Sequence, residues 1–358
     1  DLIDEGLRAR WLDLDDALAE LQAHGQLGSD SQRDNEGGQR DQASEEMRVL
    51  STRCQRFRDD LATLSDRDLD RREHVYWGQL RGLHVSMHAS PITVDRILED
   101  ELLEGVHSAV FTSATLSARG SFEHLRRRLG LGPELADELC VPSPFDYQAQ
   151  SMLYLARDIP DPREPQGHRE RFEQVRDLLL LSDGGALFLF TSYAAMKDAH
   201  RALRALVDLP MWMQGQGPKS HLLEQFRASE RGLLLATASF WEGVDIPGQA
   251  LRQVLIDKLP FEVPNDPLCA ARMDELAREG LEPFEHYQLP RAAIAFRQGV
   301  GRLIRRKGDR GIVSVLDPRI VTRRYGRFFL DSLPAMPRTS SLERVRRWWQ
   351  APPDGEAP

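Results

Sequence analysis

No stretch of this 358-residue chain is long and apolar enough to span a bilayer. The opening Asp1-Leu2-Ile3-Asp4 has no basic start and no apolar core after it, so no secretory leader is expected. It also begins without Met, and the expectation is a piece of a longer chain. Cysteine is scarce: Cys54, Cys140 and Cys269 stand far apart, which excludes CxxC metal spacing and fits a reducing cytoplasm. A phosphate cradle of the form Gly-x-x-x-x-Gly-Lys-Ser/Thr is missing. The nearest string, Gln216-Gly217-Pro218-Lys219-Ser220, is broken by Pro218, which removes a backbone N–H that the cradle needs. A magnesium-binding Asp-Glu-x-His after an apolar strand is also missing. Asp137-Glu138-Leu139-Cys140 follows a polar stretch containing Gly and Pro, and Asp274-Glu275-Leu276-Ala277 falls in a helical pattern. His84 and His88 are four apart, but their surroundings read as strand and turn, so no metal ligand is assigned.

The net charge of −9 argues against a simple basic nucleic-acid binder. The average hides a local reversal between Arg291 and Arg327. There Arg291, Arg297, Arg302, Arg305, Arg306, Lys307, Arg310, Arg319, Arg323, Arg324 and Arg327 face only Asp309 and Asp317. Local charge decides whether a cleft attracts polyanions.

The first 75 residues read as a helical hairpin. Leu12, Leu14, Ala17, Leu18 and Leu21 recur at near-helical spacing, as do Met47, Leu50, Cys54, Phe57 and Leu61, with a polar tract from Gly25 to Ala43 expected as loop. Strands are expected at His74–Trp77 and Leu83–Met87, and a helix over Thr93–Glu104. From Ser108 onward strand and helix alternate, the pattern of parallel α/β structure. Expected strands are Ala109–Thr112, Met152–Leu155, Ala186–Phe190, Leu233–Ala236, Val254–Ile256 and Gly311–Leu316. Expected helices are Arg169–Leu181, Tyr193–Leu206, Leu222–Ala228, Asp266–Arg278 and Pro290–Ile304. Ligands of open α/β sheets sit beyond the carboxyl ends of the strands, and the polar segments are expected there.

Four segments carry chemistry. In Gln298-Gly299-Val300-Gly301-Arg302-Leu303-Ile304-Arg305, two arginines three apart share a face if the segment is helical, and together they can hold a phosphoryl group. Gly299 and Gly301 leave room for close approach and are costly inside a helix. In Ala236 to Gly248 an apolar strand runs into a turn bearing Glu242, Gly243 and Asp245, and the next strand ends Asp257-Lys258-Leu259-Pro260-Phe261. Thr112-Ser113-Ala114-Thr115-Leu116-Ser117 is a run of hydroxyls that either couples a nucleotide site to a neighbouring domain or caps helices. In Thr191-Ser192-Tyr193 small hydroxyls at a helix start suit phosphate-backbone contacts, and the Tyr193 ring either stacks on a base or packs. Near the end, Arg344-Val345-Arg346-Arg347-Trp348-Trp349 either contacts DNA or a partner, or covers an apolar patch.

In this order the segments resemble superfamily 2 helicase motifs: III at Thr112–Ser117, IV at Phe190–Tyr193, V at Phe240–Asp245 and VI at Gln298–Arg305. The Phe-Trp-Glu-Gly-Val-Asp form and the Asp257–Phe261 strand end are similar to the XPD-like group, most of all its DinG/YoaA branch. The resemblance is strong over 105–335 and weaker over 1–105.

The resemblance implies an α/β fold: a RecA-like parallel-sheet motor domain preceded by a helical arch-like insertion and the tail end of a first motor domain. The implied divisions are a helical arch-like region at 1–75, a first-motor remnant at 76–150, the second motor domain at 151–340, and a C-terminal helix and tail at 341–358. It implies ATP-driven 5′ to 3′ movement on single-stranded or forked DNA in repair or replication. Arg302 and Arg305 would be arginine fingers, and Gln298 would position them or the attacking water. Glu242, Gly243, Asp245 and Gly301 would serve the nucleotide, and Thr191, Ser192, Tyr193, Ser113 and Thr115 the nucleic acid. ATP and Mg2+ would be held mainly by the other motor domain, and a 4Fe-4S cluster would lie upstream only. A replicative polymerase accessory subunit is an implied partner. By itself the chain is expected to hydrolyse negligible ATP. The other readings are a non-catalytic module that binds nucleic acid or a partner, and an unrelated α/β enzyme such as a nucleotide-dependent transferase.

Overall fold

The computed structural model describes residues 5–30, 39–65, 73–160, 167–237, 240, 246, 250–262 and 266–351. Its backbone forms two compact units. One is Asp1–Val94 with Pro264–Glu275, the other Asp95–Val263 with Leu276–Pro358.

In the first unit α1 (Glu5–Asp30) packs on α2 (Gln39–Ser65), with Cys54 buried. Arg58 Nε donates to Asp15 Oδ1 at 2.7 Å and ties the two helices. The helices reach further into the polar tract than expected, through Asp30 and back from Gln39. Gln, Arg and Ala are adequate helix formers, and helix-on-helix packing extends what composition alone leaves open. The strands β1 (His74–Arg81) and β2 (His84–Pro91) form an antiparallel hairpin around Gly82, whose φ of +62° a side chain rarely adopts. His88 faces Trp77 across the pair, with their rings stacked at 4.9 Å. His84 and His88 therefore lie on a strand, where a spacing of four has no helical meaning.

The second unit is built on a seven-stranded parallel sheet. Its strands are β3 (Ser151–Leu155), β4 (Ala186–Leu189), β5 (Met211–Met213), β6 (Leu233–Ala236), β7 (Gln253–Ile256), β8 (Gly311–Val315) and β9 (Arg338–Thr339). They lie in the order β5-β6-β4-β7-β8-β3-β9. Alternate residues feed opposite faces. Leu153, Leu187, Leu189, Val254 and Val313 face one core, with Phe296 and Phe329. Met152, Tyr154, Phe188, Leu255 and Ile312 face the other, with Phe172, Val175 and Met196. A sheet covered on both faces needs near-continuous apolar strands, and β3, β4, β6, β7 and β8 are buried throughout, while β5 and β9 are not.

Around the sheet lie α6 (His168–Leu181), α7 (Tyr193–Arg204), α8 (Lys219–Ser229), α10 (Leu289–Val300), α11 (Arg319–Thr322), α12 (Gly326–Asp331) and α13 (Leu342–Gln350). Three shorter helices precede it: α3 (Asp95–Leu98), α4 (Glu123–Leu129) and α5 (Tyr147–Gln150). Pro267–Arg278 forms α9, as the helical pattern predicts. In α13, Val345 is fully buried while Trp348 and Trp349 pack against the second core, so this helix covers an apolar patch.

The expected strand Ala109–Thr112 is a correction. Residues 108–114 are without regular structure, and Val110 is 88% exposed. A strand exists only through a ladder, and no neighbouring strand pairs with this stretch among the described residues.

Candidate functional site

Helix α10 shows why the Gln298–Arg305 segment is placed where it is. Leu289, Ala292, Ala293, Phe296 and Val300 recur at helical spacing and are buried in the core. Arg297 and Gln298 lie on the remaining side, in the last turn. The helix ends at Val300, where Gly301 closes it by donating its N–H to Arg297 O at 2.8 Å. Gly301 is tight there: a Cβ would stand 3.2 Å from Arg297 O.

Arg302 and Arg305 are therefore not on a helical face, as a helix over Pro290–Ile304 requires. The intervening pair decides the geometry instead. Leu303 and Ile304 turn into the core at 3% and 2% exposure, and the arginines on either side are half-buried. Leu303 fits because β8 opens on glycine: a Cβ at Gly311 would lie 2.4 Å from Leu303 Cδ1. The turn is pinned from both sides. Asp309 Oδ2 accepts the N–H groups of Arg305 and Arg306, each at 2.8 Å. The Gln150 amide reaches the carbonyl oxygens of Arg306, Lys307 and Asp309 at 3.0, 3.1 and 2.8 Å.

This turn lines a cleft of about 1430 Å³ within the second unit. Ser113, Thr115, Gln298, Gly301, Arg302 and Arg305 all line it, so two of the four predicted segments meet. Gln298 Nε2 donates to Thr115 Oγ1 at 3.4 Å, and Thr115 N–H in turn donates to Ser113 Oγ at 3.2 Å. The hydroxyl run lies in no helix and caps none among the described residues; Thr112 and Ser113 are exposed, whereas Ser117 is buried. Arg126 is on the wall, held by Glu138 at 2.6 Å. Tyr147 is there too, its phenol pushed up by burial and drawn back by a bond to Ser143 and the charges of Arg297 and Arg305.

The other predicted residues lie elsewhere. Thr191, Ser192 and Tyr193 follow β4, at the carboxyl edge of the sheet, whereas the Arg302–Arg305 turn precedes β8, at the amino edge. The expectation that all the polar segments cluster at carboxyl ends fails for this turn, because in a parallel sheet the end of a helix returns the chain to the amino edge. Ser192 Oγ caps α7 by accepting Ala195 N–H at 3.2 Å. Tyr193 is 44% exposed and lies beside Gly215, whose φ is +94° and where a Cβ would meet the phenol oxygen at 3.1 Å. Glu242, Gly243 and Asp245 lie outside the described residues. Their approach is visible, however: Gln214 Oε1 accepts both the N–H and the hydroxyl of Thr237, at 2.7 and 3.0 Å.

Of the basic run, several members serve the fold. Arg319 clamps Asp317 at 2.6 Å, and Arg310 lies over Trp348 at 4.3 Å while bonding to the last turn of α13. Arg297, Tyr147, Gln150 and Gln214 were not singled out by sequence. Only Arg297 left a trace there, as one member of the charge run beside Gln298.

Residues 175–336 match the helicase C-terminal domain family. The chain is 38% identical over 312 residues to the ATP-dependent DNA helicase YoaA of Escherichia coli (strain K12), covering 87% of this chain and 47% of that protein. It is 37% identical over 281 residues to the ATP-dependent helicase DinG of Mycobacterium tuberculosis (strain H37Rv), covering 77% and 42%. The chain thus spans about half the length of the curated relatives it matches. A solved XPD chain in the apo state superimposes with a TM-score of 0.58 at 13% identity, over 84% of this chain and 59% of that one, which is a likeness of fold.

Proposed function

Because this chain belongs to the DinG/YoaA branch of the XPD-like helicases, we propose that it is the second-motor portion of an ATP-dependent DNA helicase moving 5′ to 3′ on single strands in repair or replication. The meeting of Ser113, Thr115, Gln298, Arg302 and Arg305 in one cleft supports this most directly. Guanidinium groups are planar, permanently charged donors suited to phosphate, and Gln298 adds a neutral amide beside them. In this reading Arg302 and Arg305 stabilise charge building on the γ-phosphate, and Gln298 positions them or the attacking water. Glu242, Gly243 and Asp245 link nucleotide to DNA. Thr191, Ser192 and Tyr193 meet the DNA backbone at the other edge of the sheet.

The donor set fits the phosphates of ATP but not the whole of Mg-ATP. Among the described residues no group of three His, Cys, Asp or Glu could hold a metal ion, and the sequence offers no phosphate cradle. Magnesium and most of the nucleotide are assigned to an upstream motor domain. A 4Fe-4S cluster needs four thiolates, and Cys54, Cys140 and Cys269 cannot supply them. Among the described residues no helix is long and apolar enough to cross a membrane, and action in the cytoplasm fits free thiols. The division into arch (1–75), first-motor remnant (76–150), second motor domain (151–340) and tail (341–358) belongs to the same proposal.

The test joins the chain to its upstream motor domain. Arg302→Ala or Arg305→Ala is expected to cut ATP turnover about a hundredfold or more while single-strand binding persists. Unchanged turnover removes the assignment. The missing cradle favours a second reading, a non-catalytic binding module. That reading wins if the joined protein binds DNA but shows no turnover at all.

A further inference from the structure

Arg297 stands out in the wall of the cleft because its charge goes unanswered. Arg126, on the same wall, is neutralised by Glu138 at 2.6 Å. Asp309, later in the same basic run, is spent on the N–H groups of Arg305 and Arg306. Arg297 makes no ion pair and no side-chain hydrogen bond among the described residues, yet it is half-buried. Its position in the last turn of α10 favours a cation, which explains tolerance of the charge but not the idle donors of its fork.

Three further donors line the same cleft. Ser143 and Tyr147 come from the chain leading into β3, and Ser143 Oγ accepts the N–H of Phe145 at 3.2 Å. Burial holds Tyr147 as a neutral O–H. Gln298 is the next residue after Arg297. A guanidinium, two hydroxyls and an amide in one half-buried cleft are complementary to an oxyanion with several acceptor oxygens.

We propose that Arg297, supported by Tyr147 and Ser143, is a further phosphate contact in this cleft, holding the same polyphosphate that Arg302 and Arg305 address. The assignment rests on the cleft being nucleotide-facing. It gives Arg297 the task of ground-state binding, whereas Arg302 and Arg305 act on charge that develops during transfer.

The test is calorimetric titration of the 358-residue chain with inorganic tripolyphosphate at low salt, with circular dichroism as the check on folding. One-to-one binding is expected. Arg297→Ala should weaken it about tenfold, the scale of one charge-assisted contact. Arg297→Lys, which keeps the charge but loses the fork, should weaken it about two- to threefold and stands in if the alanine variant does not fold. Arg302→Ala is measured in parallel. If it weakens binding and both Arg297 variants bind like the unaltered chain, Arg297 is not a contact and the reading of the cleft stands. If neither position matters, or the unaltered chain does not bind, the Arg297 assignment falls, while that of Arg302 and Arg305 is judged separately on the turnover of the joined protein.

Discussion

Arg171 is the one arginine fully buried among the described residues. It is 4% exposed and reaches Asp257 Oδ1 at 2.6 Å, Asp257 O at 2.8 Å and Leu316 O at 2.9 Å. One side chain from α6 thereby ties together the carboxyl ends of β7 and β8. Its removal leaves a carboxylate at 4% exposure without its counter-charge. Arg171→Ala is expected to destabilise the chain by about 3–5 kcal/mol, read as a lower urea midpoint. A change below about 1 kcal/mol would show that solvent reaches the pair. In sequence Arg171 was only a residue in an expected helix, because a pair separated by 86 positions leaves no local pattern. Gln298, Arg302 and Arg305 were legible for the opposite reason: glycine and arginine crowd into one short string.

At the scale of elements, α4 is docked through a histidine that titrates. His124 lies near Tyr287, with ring centroids 6.3 Å apart, and its Nδ1 is 3.4 Å from His286 O. Burial, reinforced by Arg128, Arg291 and Arg127, lowers its pKa to about 4, against the bond to His286 O. The folded value lies below the unfolded one of about 6.5, so the unfolded chain binds the proton first as pH falls. The contribution is complete above about pH 6.5 and is lost as pH drops to about 4, at most roughly 3 kcal/mol. His124→Gln should flatten the dependence of the urea midpoint across that window, and an unaltered slope would place its origin elsewhere. Most strands and helices of the sheet were readable from apolar runs and their punctuation. The ends of α10 were not: Leu303 and Ile304 extend its apolar spacing, but they are consumed by core packing after the helix has stopped. The short β5 and the two-residue β9 were also missed, since such lengths carry no period.

Across the whole molecule, backbone protection should be uneven. The central strands β4, β6 and β7 are fully buried and paired on both sides. Residues 108–114 have neither ladder nor cover, and Leu139 and Val141 are 81% and 72% exposed on another irregular stretch. Hydrogen exchange is expected to be slowest in β4, β6 and β7, near the global unfolding limit, and close to unprotected rates over 108–114. Slow exchange over 108–114 would mean that the stretch pairs after all. The sequence marked 109–112 as a strand because apolar β-formers fill it. Composition records a tendency to pair, and the partner has to come from somewhere else in space.

The seating of Leu303 against Gly311 has a genetic corollary. Replacing Gly311 with any larger residue should displace Leu303 and swing both neighbouring guanidiniums off target, although position 311 touches no reactant. A screen for inactive alleles of the joined enzyme would then collect lesions at a glycine on the rim of the sheet, and these would mimic loss of the arginines themselves.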